Sequence, residues 1–127
     1  MSIIAGRKMV MMSKWDAGLA LQLIQDEKIE AITGVPTQTW DLLTHADKDN
    51  YDLSSFKELS GGGAPRPPEH VQKLKDGFKD AEPSIGYGLT ETNAAGTLNL
   101  GKDDFLHPCS CGSAITPVSD PSLCDEN

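Results

Sequence analysis

Short apolar runs closed by glycine or proline alternate along this chain with stretches of helical spacing, and that alternation restricts it to folds in which strands and helices take turns. Residues 8–12 read as a buried strand. Asp16 then offers a helix N-cap ahead of Ala20, Leu23, Ile24 and Glu27, spaced three and four apart. Residues 29–35 form a second, β-branched strand ended by Gly34, and Pro36 suits the first turn of a helix carrying Trp40 and Leu43 on one face. After a polar loop over residues 47–55, residues 56–60 give a third strand. Pro67-Pro68-Glu69 opens a helix with Val71, Leu74 and Phe78 inward, its acidic start and the later Lys73, Lys75 and Lys79 matching the macrodipole. Residues 83–86 supply a fourth strand, residues 94–100 are a candidate for another, and residues 101–127 read as loop.

The expected fold class is therefore α/β: a mainly parallel sheet with flanking helices, joined by right-handed crossovers. At 127 residues and 38% hydrophobic composition the chain has room for one core. In such a sheet all strand exits toward helices fall on the carboxyl edge, where ligands bind. Three unusual exits converge there: Gly34-Val35-Pro36-Thr37, Ser60-Gly61-Gly62-Gly63-Ala64-Pro65 and Gly86-Tyr87-Gly88-Leu89-Thr90-Glu91-Thr92.

Charge narrows the partners. A net charge of −8, from 19 acidic and 11 basic residues, lacks the basic footprint that nucleic acid or an anionic membrane surface requires. No apolar run approaches the roughly 20 residues of a bilayer span. The N-terminus does not read as a signal peptide, so a soluble, cytoplasmic protein is the expectation. Cys109, Cys111 and Cys124 are odd in number and confined to the last fifth of the chain, which argues against a disulfide framework. With His107 they form a zinc-like set, but the Cys-x-Cys spacing is tighter than zinc sites use.

Two exits carry chemistry. Gly61, Gly62 and Gly63 let backbone approach a flat ligand and tolerate positive φ, though taken alone they read first as a flexible strand-to-helix turn. No Gly-Lys-Ser/Thr follows, so this is not a P-loop. In the third exit Tyr87 could stack on a base, Thr90 could donate to a phosphate oxygen and Glu91 could hold Mg²⁺, a cation that takes oxygen ligands. A plain helix N-cap at Thr90 or Thr92 is the competing account. Trp15 and Trp40 read as core or wall aromatics, and His45 and His70 as polar helix-surface residues.

The succession Gly34-Val35-Pro36-Thr37, Tyr51-Asp52-Leu53-Ser54-Ser55-Phe56, Gly62-Gly63-Ala64-Pro65 and Gly86-Tyr87-Gly88-Leu89-Thr90-Glu91-Thr92 resembles the middle of the large N-terminal domain of AMP-dependent synthetases and ligases. The match runs over residues 6–112. The resemblance implies a fragment of an acyl-CoA synthetase, which adenylates a fatty or other carboxylic acid with MgATP and passes the acyl group to coenzyme A. It implies that Gly62, Gly63, Ala64 and Pro65 line the adenine pocket, with Gly86, Tyr87, Gly88 and Leu89 facing them. Thr90 would contact the α-phosphate, Glu91 the magnesium, and residues 34–37 with Gly61 and Gly62 would border the acyl pocket. The family's lysine-bearing phosphate loop, ribose-binding aspartate, hinge and C-terminal lysine are not among these residues. The expectation is thus a partial adenylation domain over residues 1–112, a divergent irregular tail over 113–127, a remainder of the synthetase chain elsewhere, and no activity alone. The alternative is a non-catalytic α/β module that binds a nucleotide or a partner chain.

Overall fold

The computed structural model describes residues 6–92 and 95–115. Its first helix, α1 (Ala17–Glu27), begins where Asp16 accepts a hydrogen bond from the Leu19 amide at 2.8 Å, and ends at Lys28 in the left-handed conformation. Strand β1 (Ala31–Gly34) leads into α2 (Pro36–Thr44), with Pro36 in its first turn as its fixed φ favours. A 3₁₀ turn (Lys48–Asn50) and loop precede β2 (Glu58–Gly62); α3 (Pro68–Gly77) returns the chain to β3 (Glu82–Tyr87). A second 3₁₀ turn (Thr90–Thr92), β4 (Thr97–Leu100), α4 (Gly101–Leu106) and the two-residue β5 (Ser113–Ala114) complete the described elements.

The strands form one sheet in the order β1-β2-β3-β4-β5. The pairs β1–β2 and β2–β3 are parallel; β3–β4 and β4–β5 are antiparallel. The sheet is α/β as expected but mixed, because the nine residues between β3 and β4 are too little chain for a crossover back to a parallel neighbour.

Two expectations are corrected. Residues 8–12 form no strand: Met9 and Met11 are exposed, and Met12 alone of the run's methionines packs against the core. Residues 101–127 are not all loop, since they contain α4 and β5. The helix α4 has no apolar period to announce it, but Asp103 and Asp104 in its first turn suit the helix dipole. Residues 116–127, with Cys124, lie outside the described residues; no described helix is long and apolar enough to cross a membrane.

Side chains alternate across the strands, which gives the sheet two unlike faces. Ile32 and Leu59 join Leu21, Ile24, Leu42 and Leu74 in the core beneath the helices. Phe56 and Phe78 meet edge-to-face there, ring centroids 5.5 Å apart. Helices α2, α3 and α4 pack on this face, and α1 packs on α2. The other face carries Thr33, Glu58, Ser60, Gly62, Gly86, Leu98 and Leu100, and no described helix lies over it. His70 is not a bare surface residue: it stacks on Trp40 at 4.1 Å.

Outside the core, Lys28 donates to Asp52 at 2.8 Å and the Ser54 amide donates to the same carboxylate at 3.1 Å. The hydrogen bond from Lys28, reinforced by Ser54, holds the Asp52 carboxyl well below the usual carboxylate range. A folded pKa below the unfolded value stabilises the fold above about pH 4 and loses that effect as pH falls. We therefore expect Asp52→Asn to lower the urea midpoint slightly at pH 7 and the difference from the parent chain to shrink below about pH 4; a difference that grows on acidification would contradict this.

Candidate functional site

The parallel register of β2 and β3 sets Gly62 beside Gly86. Both chains leave the sheet at the same edge, so the glycine-rich loop and the segment after Tyr87 open side by side. A β-carbon on Gly62 would stand 3.0 Å from the Gly86 carbonyl oxygen, so the close approach depends on a bare Cα. At Gly63 the chain turns with φ +76°, a left-handed conformation that disfavours a side chain, and Val35 Cγ1 lies 3.8 Å from where its β-carbon would be. The exit after β1 thus borders the same loop.

Above these glycines is a cleft of ≈ 830 Å³. Its edge holds Gly63, Tyr87, Gly88, Leu89, Thr90 and Glu91; its floor runs down the uncovered sheet face through Gly62, Gly86, Ser60, Thr33 and Glu58; Leu98 and Leu100 form one flank. Gly34 and Gly61 also line it. Of the residues singled out from sequence, Gly62, Gly63, Gly86, Tyr87, Gly88, Leu89, Thr90 and Glu91 come together. Ala64 and Pro65 stand exposed outside the lining, and so do Val35 and Thr37, while Pro36 is buried at the start of α2. Tyr87 is half exposed. Thr90 and Glu91 begin a single 3₁₀ turn, with Glu91 exposed at the rim. Cys109 and Cys111 are exposed free thiols.

Glu58 and Ser60 on the floor, and the buried Ser84 beside them, went unnoticed in the sequence. Ser60 Oγ donates to Glu58 Oε1 at 2.5 Å and lies 2.8 Å from Ser84 Oγ. Alternation along β2 and β3 could have placed them on one face; which face a helix covers is not written in that alternation.

A buried ion pair supports the loop from behind. Arg66, directly after Pro65, is buried with its guanidinium against the Asp104 carboxylate on α4. Its Nη1 donates to the Ser84 carbonyl of β3 at 3.4 Å. Asn99 Nδ2 reaches Asp104 Oδ1 at 3.5 Å and the carbonyls of His107 and Ser110 at 3.2 and 3.1 Å. Among the described residues Arg66 Nε has no hydrogen-bond partner. Burial pushes the Asp104 carboxyl up and the charge of Arg66 opposes that rise. The pair joins the loop's far end, β3 and α4, and no sequence period marks either residue. Arg66→Met leaves the Asp104 charge buried without its partner and should cost about 3–5 kcal/mol of unfolding free energy, while Arg66→Met with Asp104→Leu should recover most of that loss. Urea unfolding of both variants checks this; a double variant no more stable than the single one would mean the pair is not the unit of stabilisation.

Comparison with known proteins gives one consistent picture. The AMP-binding enzyme family model matches residues 1–127. Luciferin 4-monooxygenase of Photuris pensylvanica is 36% identical over 110 residues, 87% of this chain and 20% of that protein. The 4-coumarate–CoA ligase 1 of Glycine max is 32% identical over 109 residues, 84% of this chain and 37% of that one. The inhibitor-bound N-terminal domain of FACL13 from Mycobacterium tuberculosis superposes with a TM-score of 0.82 at 28% identity, over 91% of this chain and 28% of that domain. The chain thus spans between one fifth and two fifths of the length of these curated relatives.

Proposed function

The chain belongs to the AMP-binding enzyme family, and from that premise we propose that it forms the nucleotide-contacting part of an AMP-forming acid–thiol ligase. The observation that carries the reading is the Gly62–Gly86 pairing, which puts two bare backbone segments and Tyr87 on one edge of a cleft large enough for a small-molecule ligand. In this reading a carboxylic acid, fatty or otherwise, attacks the α-phosphorus of ATP, pyrophosphate leaves, and the acyl group passes from the acyl-adenylate to the thiol of coenzyme A.

Each residue then has a role. Gly62 and Gly63, with Ala64 and Pro65 beyond them, form one wall for adenine; Gly86, Tyr87, Gly88 and Leu89 form the other, with the Tyr87 ring available for stacking. The Thr90 hydroxyl donates to a non-bridging phosphate oxygen, where negative charge builds in the transition state. The exposed Glu91 carboxylate and the hydroxyl of the preceding Thr90 both offer the oxygen atoms that Mg²⁺, a hard cation, prefers. When bound it would neutralise phosphate charge. Among the described lining residues Glu58 and Glu91 are the charged side chains, and no Lys or Arg joins them. The charge balance for a triphosphate must come from chain beyond these residues, so the isolated protein should release no pyrophosphate. A cytoplasmic setting accords with substrates such as ATP and coenzyme A.

The roles are testable in the full-length synthetase by single-turnover acyl-AMP formation, with ATP and Mg²⁺ varied separately. Thr90→Val should slow adenylation about ten- to a hundred-fold, as loss of a hydrogen bond to a charged acceptor implies. Glu91→Gln should slow it while leaving acid binding nearly intact and should change the Mg²⁺ dependence. Tyr87→Ala should instead weaken nucleotide affinity. An unchanged rate and Mg²⁺ dependence in Glu91→Gln would make Glu91 a turn residue only.

A further inference from the structure

We propose that Glu58, acting with Ser60 and Ser84, makes the cleft select a carboxylic acid about 10 Å long that carries a hydrogen-bond donor at its far end, over one with a plain alkyl end. This rests on the reading of the cleft as an acid-activating site. It adds what the floor of that site demands of the acid.

The three side chains form an oriented chain. The single hydroxyl proton of Ser60 is committed to Glu58 Oε1 at 2.5 Å, so across the 2.8 Å contact Ser84 donates and Ser60 accepts. Both protons therefore point toward the carboxylate. What this end of the cleft offers an incoming group is acceptor capacity on Glu58, and a carboxylate accepts more bonds than the one from Ser60. Glu82 lies beside Glu58 in the register of β2 and β3, which adds negative charge at the same end of the sheet. A hydroxyl or ammonium group meets that environment with a charge-assisted bond. A methyl group there would displace water from Glu58 and give nothing back.

Length follows from the strand. Glu58 stands four residues before Gly62 on β2, roughly 13 Å away at about 3.3 Å per residue. The reacting carboxylate belongs at the Gly62–Thr90 edge, and one hydrogen bond of roughly 3 Å closes the gap to Glu58, leaving about 10 Å for the acid. Between the two ends the floor is bare at Gly62 and Gly86, and Leu98 and Leu100, 38% and 52% exposed, give an apolar flank to the middle of the molecule.

The test compares 8-hydroxyoctanoate with nonanoate, which differ only in a terminal hydroxyl for methyl, titrated to millimolar concentrations into the ¹⁵N-labelled 127-residue chain. We expect the hydroxy acid to bind about ten- to a hundred-fold more tightly and to shift the Ser60 and Ser84 amides. Glu58→Leu should abolish the preference, Glu58→Gln should keep part of it through its amide oxygen, and Ser60→Ala should reduce it. Equal affinities, tighter binding of nonanoate, no binding of either acid, or a preference that survives Glu58→Leu would overturn the inference. A parallel AMP titration, followed at the Gly63 and Tyr87 amides, separates the two levels. If AMP shifts those amides while the acids bind alike, the inference falls and the proposed function stands. If AMP leaves them unmoved, the proposed function is what suffers, and the acid preference is judged on its own titration.

Discussion

At their carboxyl ends β2 and β3 pair through Gly62, whose bare Cα keeps the Gly86 carbonyl oxygen clear of any side chain. A β-carbon on Gly62 would stand 3.0 Å from the Gly86 oxygen, so a larger residue would have to push that contact apart by a few tenths of an ångström. The alignment of the glycine loop with Tyr87 rests on that register and that contact. The parallel ladder supplies the direction, since strands running together must deliver their exits to one edge.

The ion pair behind the loop supplies rigidity by another route. Arg66 leaves Pro65 inward rather than toward the cleft and ties the loop to Ser84 of β3 and to α4. Buried pairs contribute little net stability relative to apolar residues, and their effect here is geometric: a guanidinium fixed at both ends leaves the preceding turn few places to go. The carboxylate of Asp104 is held in turn by Asn99, which also gathers the carbonyls of His107 and Ser110, so the segment after β4 is fastened to the same point.

The sequence was most informative where a local signal decides structure alone. Asp16 as a cap, Pro36 and Pro68 in first turns, and the glycines ending β1 and β2 act within a few residues, and each sits where such chemistry puts it. Residues 8–12 misled because an apolar run says nothing about whether a neighbouring strand exists to pair with it. The antiparallel turn of β4, the short α4 and the two-residue β5 depend on pairings and contacts distant in sequence. The same holds for the site: ordered glycine and aromatic motifs made its edge legible, while the Glu58–Ser60–Ser84 floor and the Arg66–Asp104 support arise only once strands and helices are assembled.

The switch from parallel to antiparallel pairing at β3 also bears on how the fold is reached. Tyr87 and Thr97 pair across ten residues, whereas Ala31 and Glu58 pair across 27. Loop-closure entropy favours the shorter connection by about 0.9 kcal/mol, and hairpins close within microseconds while parallel pairs wait for a helix to form between them. The Tyr87 wall is therefore built on a segment that can organise early and locally. The glycine wall joins it through the longer β2–β3 connection, Gly62 pairing with Gly86 across 24 residues, so the cleft exists only once both strands have paired.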